Sequence, residues 1–342
     1  MDIKKIIVSR TDKIGDLILS IPSFFMLRKM YPKAEITVLV RKYNYEIVKN
    51  LSYIDRVVKI DDYTQKELLK KIGYFKADLF IALYSDSFIG KLAKASGAKY
   101  RIGPYSKISS FFSYNRGVFQ KRSFSKKNEA EYNLDLIRKI DSKLYDEKFI
   151  IDTEIVLSDE NREIAEKFLK NNRIEGKLLV INPFMGGSAK NIRDEEYTSL
   201  MEKLCQRDPE LNIIVTAHIS DEKRMEKLLC GLEGRKIYPF LNGGDLLNTA
   251  GVIEKADVYF GGSTGPTHIA ASLRRKIVAI YPAKKTQSPL RWGVFGDVDV
   301  TYLIPDEKNK KENYKHKYFE SYTSAMEEEL IEIIEKKLRS NQ

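Results

Sequence analysis

The chain has 342 residues, of which 43% are hydrophobic and 31% charged, as in a soluble globular protein rather than a disordered or membrane-spanning one. Its length favours two domains, and no apolar run reaches the ~18 residues of a membrane span. The formal charge of +11 suits a nucleic acid, an acidic membrane face or a phosphorylated substrate, and it equally suits a merely solvated surface.

Strands and helices alternate through the first half of the sequence. An apolar run at 6–8 predicts a strand, and 17–30 predicts a helix that ends at Tyr31-Pro32, since proline lacks the N–H. The nearly unbroken apolar run 78–83 is typical of a parallel strand covered on both faces, and Gly97 closes the helix that follows. Further strands are predicted at 35–40, 57–60 and 99–103, and helices at 43–50, 65–72, 88–96 and 131–140.

Residues 106–128 interrupt this rhythm with phenylalanines, lysines and arginines among serines. Stacking rings with cations can bind single-stranded nucleic acid, and a basic, aromatic loop also fits an anionic lipid surface. A mobile connecting loop is the third interpretation. The pattern loosens between 141 and 159, where we place the domain boundary.

A second strand–helix series follows a helix capped by Ser158. Two such series predict an α/β protein with two Rossmann-like domains, 1–155 and 156–320, facing across a cleft. An amphipathic C-terminal helix within 321–342 should pack on a domain surface or cross to the first domain. The second series comprises strands 177–182, 212–216, 237–239, 258–260 and 277–280, with helices 195–206, 221–232, 245–253 and 267–273.

The polar octet Ser9-Arg10-Thr11-Asp12-Lys13-Ile14-Gly15-Asp16 lies in the first strand-to-helix turn. Such turns bind ligands in open α/β sheets, and glycine permits a tight turn or a close approach. Asp16 admits two interpretations: an N-cap of the helix, or a general base that accepts a proton from an attacking hydroxyl.

Two turns of the second half can bind a phosphate. Residues 183–191 contain two glycines and Lys190, without the spacing of a Walker loop, and an exposed surface lysine is the alternative. Residues 261–271 place Pro266 in a first helical turn that Ser263 or Thr264 can cap, which leaves N–H groups for an anion or forms a capped helix only. We interpret His268 as a core histidine.

Several classes are disfavoured by missing patterns. There is no G-x-G-x-x-G after a leading strand, which argues against a dinucleotide oxidoreductase, and no G-x-S-x-G elbow of an α/β-hydrolase. The three histidines are scattered without zinc-type spacing, so we expect no metal site. Cys205 and Cys230 are isolated, which fits a reducing cytoplasm with both thiols buried, and no secretory signal is apparent.

The sequence resembles glycosyltransferase family 9, the lipopolysaccharide heptosyltransferases and their relatives. The resemblance lies in residues 8–16 with Pro22 and in residues 263–271. It implies a GT-B fold whose first domain holds the acceptor and whose second holds a nucleotide-sugar, with inversion at the anomeric carbon and no essential metal or cofactor. Shorter matches lie at 78–83, 97–103, 131–134, 182–190 and 243–253.

The resemblance also implies roles for single residues. Asp16 matches the general base, and Lys190 matches a lysine that contacts the donor diphosphate. Arg10, Lys13 and Gly15 are expected at an anionic acceptor. The remaining expected donor contacts are Ser188, Ser263, Thr264, Gly265, Pro266, Thr267 and His268.

One position departs from the family pattern. Heptosyltransferases usually carry an acid where Ser263 stands, and a serine cannot accept hydrogen bonds as an anion would. The donor can therefore be ADP-heptose or another nucleotide-linked hexose. We expect an inverting glycosyltransferase acting on a lipopolysaccharide-core or related glycolipid at the inner membrane face, without nucleic acid; the alternative is a non-catalytic nucleotide- or glycan-binding protein.

Overall fold

The computed structural model describes residues 2–105, 108–187, 189–307 and 312–340. The chain forms two compact units, Met1–Val156 and Leu157–Gln342, and each contains one β-sheet. Every strand pairing in both sheets is parallel. This arrangement confirms the α/β class that the alternating strands and helices predict.

The first unit has a five-stranded sheet in the order β3-β2-β1-β4-β5. The central strand β1 is apolar and buried on both faces, as expected of a parallel strand between helices. The elements in chain order are β1 (Lys5–Ser9), α1 (Ile14–Ile18), α2 (Ile21–Met30), β2 (Glu35–Val40), β3 (Arg56–Lys59), α3 (Gln65–Tyr74), β4 (Leu79–Ala82), α4 (Ser87–Ala95), β5 (Tyr100–Ile102), α5 (Ile108–Ser113), α6 (Glu129–Arg138) and α7 (Ser142–Lys148).

The second unit has a six-stranded sheet in the order β11-β10-β9-β6-β7-β8. Ser158 caps its first helix, as predicted, by accepting a hydrogen bond from the Asn161 N–H. The elements are α8 (Asp159–Asn171), β6 (Leu178–Asn182), α9 (Asp194–Arg207), β7 (Asn212–His218), α10 (Glu222–Leu229), β8 (Ile237–Asn242), α11 (Leu246–Glu254), β9 (Val258–Gly262), α12 (Gly265–Ser272), β10 (Lys276–Ile280), α13 (Pro289–Trp292), β11 (Val300–Leu303) and α14 (Ser324–Arg339).

Each sheet has one point where the strand order reverses. In the first unit this switch point lies between β1 and β4, and in the second it lies between β6 and β9. Ligands of open α/β sheets bind outside the carboxyl ends of the strands at such points. The polar turns after β1, β6 and β9 that the sequence singles out therefore all lie at switch points.

Several local predictions need correction. The single helix expected at 17–30 is divided into α1 and α2 at Leu19-Ser20, because Pro22 cannot donate a backbone hydrogen bond and instead occupies the first turn of α2. The interpretation of 106–128 as a mere connecting loop, one of three given for this segment, has to accommodate α5 and a parallel bridge between Pro104 and Val118. The structure also adds α7, α13 and β11, which the sequence patterns do not reveal.

The last helix belongs to the second unit. It contacts α9, β9 and β10, and Leu330, Ile331 and Ile334 are buried in the core on that side of the sheet. None of the helices within the described ranges has both the length and the apolar character needed to cross a bilayer. Cys205 is buried as predicted, but Cys230 is exposed, because α10 ends at Leu229 and Cys230 continues in extended conformation.

Candidate functional site

The turn after β1 places Asp16 inside a short helix rather than at its cap. Lys13 occupies the N-cap position of α1, and Asp16 is the third helical residue. The N-cap interpretation of Asp16 is therefore wrong. A carboxylate in the first turn still lies near the positive end of the helix, which favours its ionised form.

Arg10 lies at the centre of a buried polar group that we call the Arg10 cluster: Arg10, Asp12, Asp16, Glu129 and Asn133. Its side chain is 1% exposed. Nε donates to Asp12 Oδ1 at 2.6 Å, and Nη2 donates to Asp16 Oδ1 at 2.7 Å. Nη1 donates to Glu129 Oε1 at 3.2 Å and to Asn133 Oδ1 at 3.0 Å. The guanidinium thus joins the turn after β1 to helix α6.

Helix α6 supplies Glu129 and Asn133, which lie four residues apart and hence on one face. The Asn133 amide also donates to the Leu19 carbonyl at 3.2 Å and to Ser20 Oγ at 3.1 Å. Ser20 Oγ in turn donates to the Asp16 carbonyl at 2.8 Å. The junction between α1 and α2 is therefore fixed to α6 by side-chain hydrogen bonds.

Sequence reasoning gave neither Glu129 nor Asn133 a role. The available signal was Asn133 itself, a polar residue on the apolar stripe of α6 beside Leu134 and Ile137. Such a residue is expected to satisfy a buried partner. Its partner is 123 positions away in sequence, so the local pattern could not identify it.

Burial raises the pKa of Asp16 to about 7. The Arg10 charge opposes this shift, whereas the negative charges of Asp12 and Glu129 add to it. Burial lowers the pKa of Arg10 itself, but the three neighbouring carboxylates outweigh burial and raise it above the ordinary value. The cluster thus contains a permanent cation and a carboxylate that can exchange a proton near neutral pH, as a general base must.

The same geometry changes what can be expected of the predicted acceptor residues. Arg10 is enclosed by its own carboxylates, so contact with an anionic acceptor would require those ion pairs to open. Lys13 is exposed, and Gly15, which directly precedes Asp16, is half-buried. Among the predicted first-unit contacts, Lys13 and Gly15 are the most accessible to a ligand, whereas the Asp16 side chain is only 10% exposed.

In the second unit, Lys190 is buried rather than exposed. Its side chain is 2% exposed, and Nζ lies 2.6 Å from Glu312 Oε1 and 2.7 Å from the Tyr318 carbonyl oxygen. The interpretation of Lys190 as an exposed surface lysine is therefore wrong. Glu312 was not singled out, because nothing in its lysine-rich surroundings distinguishes it. Ser188 lies outside the described residues.

The turn after β9 packs closely on the turn after β6. A Cβ added to Gly262 would lie 2.5 Å from Met185 Sδ, so a larger residue there would displace the Met185 side chain. Thr264 occupies the N-cap of α12 without a side-chain capping bond, and Gly265 and Pro266 begin the helix. Thr267 Oγ1 donates to the Gly262 carbonyl at 2.5 Å. The turn thus presents a helix start to the switch point.

His268 and Ser263 complete the predicted set. His268 is buried, and burial lowers its pKa to about 4, so it is neutral at physiological pH. This agrees with its interpretation as a core histidine. Ser263 is half-buried at the end of β9. Across the described residues, no group of three or more His, Cys, Asp or Glu side chains is placed to hold a metal ion.

Burial of Asp16 predicts a pH-dependent effect of Asp16→Asn on stability. The folded chain retains the Asp16 proton up to about pH 7, whereas an ordinary aspartate loses it near 3.8. The folded state binds more protons in this window, so its stability falls as pH rises through it. Asp16→Asn has no carboxyl proton to lose, so it does not lose stability in this way. Its unfolding free energy in urea, relative to the wild type, should therefore increase from pH 4 to pH 7.

Ser20→Ala is the matched control, since it removes a hydroxyl bonded to the Asp16 carbonyl but no charge. Ser20→Ala should change the unfolding free energy by the same amount at pH 4 and at pH 7. A constant difference for Asp16→Asn would instead show that Arg10 keeps the carboxylate fully ionised.

A family model and a sequence relative both indicate a glycosyltransferase. The model of glycosyltransferase family 9 (heptosyltransferase) matches residues 71–323. A Haemophilus influenzae protein described as "Putative glycosyltransferase" is 30% identical over 328 residues, which are 91% of this chain and 92% of that protein.

Two solved structures show the same fold. A family 9 glycosyltransferase from Veillonella parvula has a TM-score of 0.82 and 18% identity, with 98% of this chain and 97% of that chain covered. The E. coli ADP-heptose LPS heptosyltransferase II has a TM-score of 0.78 and 14% identity, with 98% of both chains covered. These likenesses confirm the predicted GT-B class. The match over most of the chain shows that it belongs to glycosyltransferase family 9.

Proposed function

We propose that this glycosyltransferase transfers a sugar, heptose or another hexose-like sugar, with inversion from a nucleoside-diphosphate donor. The acceptor is a hydroxyl of an anionic lipopolysaccharide core or related surface glycan. The observation that carries the proposal is the Arg10 cluster, in which a buried carboxylate that titrates near neutral pH lies at a switch point. The donor named for E. coli heptosyltransferase II, ADP-heptose, supports a nucleotide-sugar.

Asp16 acts as the general base in this proposal. Among the hydrogen bonds of the described residues, its side chain uses Oδ1, bound by Arg10, and so leaves Oδ2 for a hydroxyl. The carboxylate accepts the hydroxyl proton while the acceptor oxygen forms a bond to the anomeric carbon. The bond from that carbon to the diphosphate oxygen breaks at the same time, and its electron pair leaves with the diphosphate. Attack opposite the leaving group inverts the anomeric centre.

Arg10 is a positioning residue in this scheme rather than an acceptor contact. It holds one carboxylate oxygen in place and stays charged throughout, so it fixes the direction in which Asp16 presents the other oxygen. Lys13 and Gly15 remain the proposed acceptor contacts. Lys13 offers a mobile point charge suited to an anionic glycan.

The second unit is proposed to bind the donor diphosphate through Lys190 and the start of α12. Phosphates bind readily at helix N-termini, where backbone N–H groups and the helix dipole favour negative charge. Lys190 would share its charge between Glu312 and the phosphate as negative charge develops on the leaving group. No metal or cofactor is required in this scheme. The other proposed donor contacts are Ser188, Ser263, Thr264, Gly265, Pro266, Thr267 and His268.

Asp16→Asn should lower turnover by roughly 10²–10⁴-fold, the usual contribution of a general base. Nucleoside-diphosphate affinity, measured by calorimetry, should stay within about twofold, because Asp16 belongs to the first unit. Asn44→Ala, which removes a 3.0 Å bond to the Asp12 carbonyl in the same turn, controls for disturbance of the turn. Full turnover by Asp16→Asn would refute the role of Asp16.

Tight nucleotide binding without product from any nucleotide-sugar would favour a different function. The protein would then be a non-catalytic nucleotide- or glycan-binding member of the family, an alternative that rests on the serine at 263. A donor panel that includes ADP-heptose and ADP- and UDP-hexoses, with extracted lipid acceptor, distinguishes the two functions.

Lys190 can be tested without leaving a buried charge unpaired. The double variant Lys190→Gln/Glu312→Gln removes both members of the ion pair, whereas a single change would leave one charge buried. If Lys190 binds the diphosphate, the double variant should lose about tenfold or more in ADP affinity. Lys203→Gln/Glu327→Gln, which removes another ion pair of the second unit, should not. Equal affinity in all three proteins would make Lys190 purely structural.

A further inference from the structure

Four phenylalanines of the first unit are exposed within one short stretch of chain. Phe111, Phe112, Phe119 and Phe124 are 49%, 70%, 69% and 59% exposed. Single exposed apolar residues are normal on soluble proteins, but a group of large rings in one stretch marks an interaction surface. We call residues 104–105 and 108–127, which contain all four, the aromatic-basic segment.

The same segment is strongly cationic. It contains five lysines and arginines and neither aspartate nor glutamate. Two of the cations are neutralised by acids beyond the segment, since Arg122 pairs with Glu129 and Lys127 pairs with Asp135. Lys121 and Lys126 are exposed beside the rings. The surface therefore combines exposed apolar rings with positive charge.

The aromatic-basic segment is a packed platform. The Tyr105 and Phe111 rings stack with centroids 4.3 Å apart, and Phe119 contacts Tyr105 edge-on at 5.3 Å. Gly117 lies against the Tyr105 ring so closely that an added Cβ would be 2.1 Å from a ring carbon. Tyr114 is buried beneath, and its carbonyl accepts a hydrogen bond from the Tyr105 hydroxyl. Phe111 and Phe119 are thus presented at fixed positions.

We propose that the aromatic-basic segment is the surface through which the first unit binds an anionic lipid bilayer. Phenylalanine rings can enter the apolar boundary of the bilayer while lysines meet the anionic headgroups. Beside them, a cavity of about 350 Å³ is lined by Phe119, Lys121, Phe124 and Lys126, among others. A cavity with cationic and aromatic walls suits a headgroup phosphate under an acyl chain.

The ring geometry favours a bilayer over single-stranded nucleic acid. Nucleic-acid binding relies on open ring faces on which successive bases stack. Tyr105 covers one face of Phe111, and Phe119 packs against both rings, so two of the four exposed phenylalanines are not free stacking platforms. Ring edges suffice for insertion into lipid. This inference rests on the proposed function: a glycolipid acceptor lies in a membrane, and a bilayer-binding surface would bring the enzyme to it.

Vesicle sedimentation tests the surface independently of turnover. The full chain should bind vesicles of phosphatidylcholine with 20–30% phosphatidylglycerol, on the order of the anionic content that attracts basic segments, and bind pure phosphatidylcholine weakly. Binding should weaken as salt rises. Phe112→Ser/Phe124→Ser should reduce partitioning by about tenfold or more, the loss expected from two rings leaving lipid. These two rings make none of the stacking contacts of the platform.

Tyr74→Ser/Phe149→Ser is the matched control, since it removes two rings that are 70% and 49% exposed elsewhere on the first unit. It should bind vesicles like the wild type, and both double variants should keep wild-type turnover on a water-soluble acceptor. Equal loss in both variants would overturn the proposal. Equal binding of the wild type to neutral and anionic vesicles would also overturn it. So would a wild-type dimer that Phe112→Ser/Phe124→Ser, but not the control variant, converts to a monomer. Preference for a single-stranded oligonucleotide over vesicles would also overturn it.

Discussion

The first unit depends on one buried cation. Arg10 is almost completely shielded from water, and three carboxylates and one amide surround its guanidinium. Placing any one of these charges there alone would be strongly unfavourable, whereas together they satisfy one another. The cluster consequently fixes the turn after β1, the α1–α2 junction and helix α6 as one rigid group. Asp16 owes its position to that group, and burial raises its pKa, with the Asp12 and Glu129 charges adding to the effect and the Arg10 charge opposing it.

The second unit repeats the arrangement in a simpler form. Lys190 and Glu312 form a buried ion pair beside the turns after β6 and β9, at the switch point of that sheet. Glu312 neutralises the charge of Lys190. Burial raises the pKa of the Glu312 carboxyl, whereas hydrogen bonds and the Lys190 charge lower it. The net result is a lowered pKa for Glu312 despite its burial, so the Glu312 carboxylate stays ionised. Each unit therefore has a buried cation paired with carboxylate at its switch point. These ion pairs order the side chains of the site before a ligand binds.

The sequence was sufficient to predict what depends on local pattern. Apolar runs identified most strands, and glycine and proline identified the turns at the switch points, because backbone geometry restricts which residues fit there. It was not sufficient to predict side-chain partners. Arg10 meets Glu129 across 119 positions, and Lys190 meets Glu312 across 122. Such pairs arise from the topology of the fold. The sequence alone therefore indicates Arg10 and Lys190 as accessible cations, whereas both are enclosed in the structure.

The central proposal is that Asp16 acts as a base whose pKa is raised by burial and further by the Asp12 and Glu129 charges. The most direct test compares the pH dependence of kcat/KM for the wild type and Glu129→Gln. Removing the Glu129 charge removes one of the effects that raise the pKa of Asp16. The account predicts that activity falls on the acid side near pH 7 in the wild type and at clearly lower pH in the variant. An acid limb at the same pH in both proteins would contradict it.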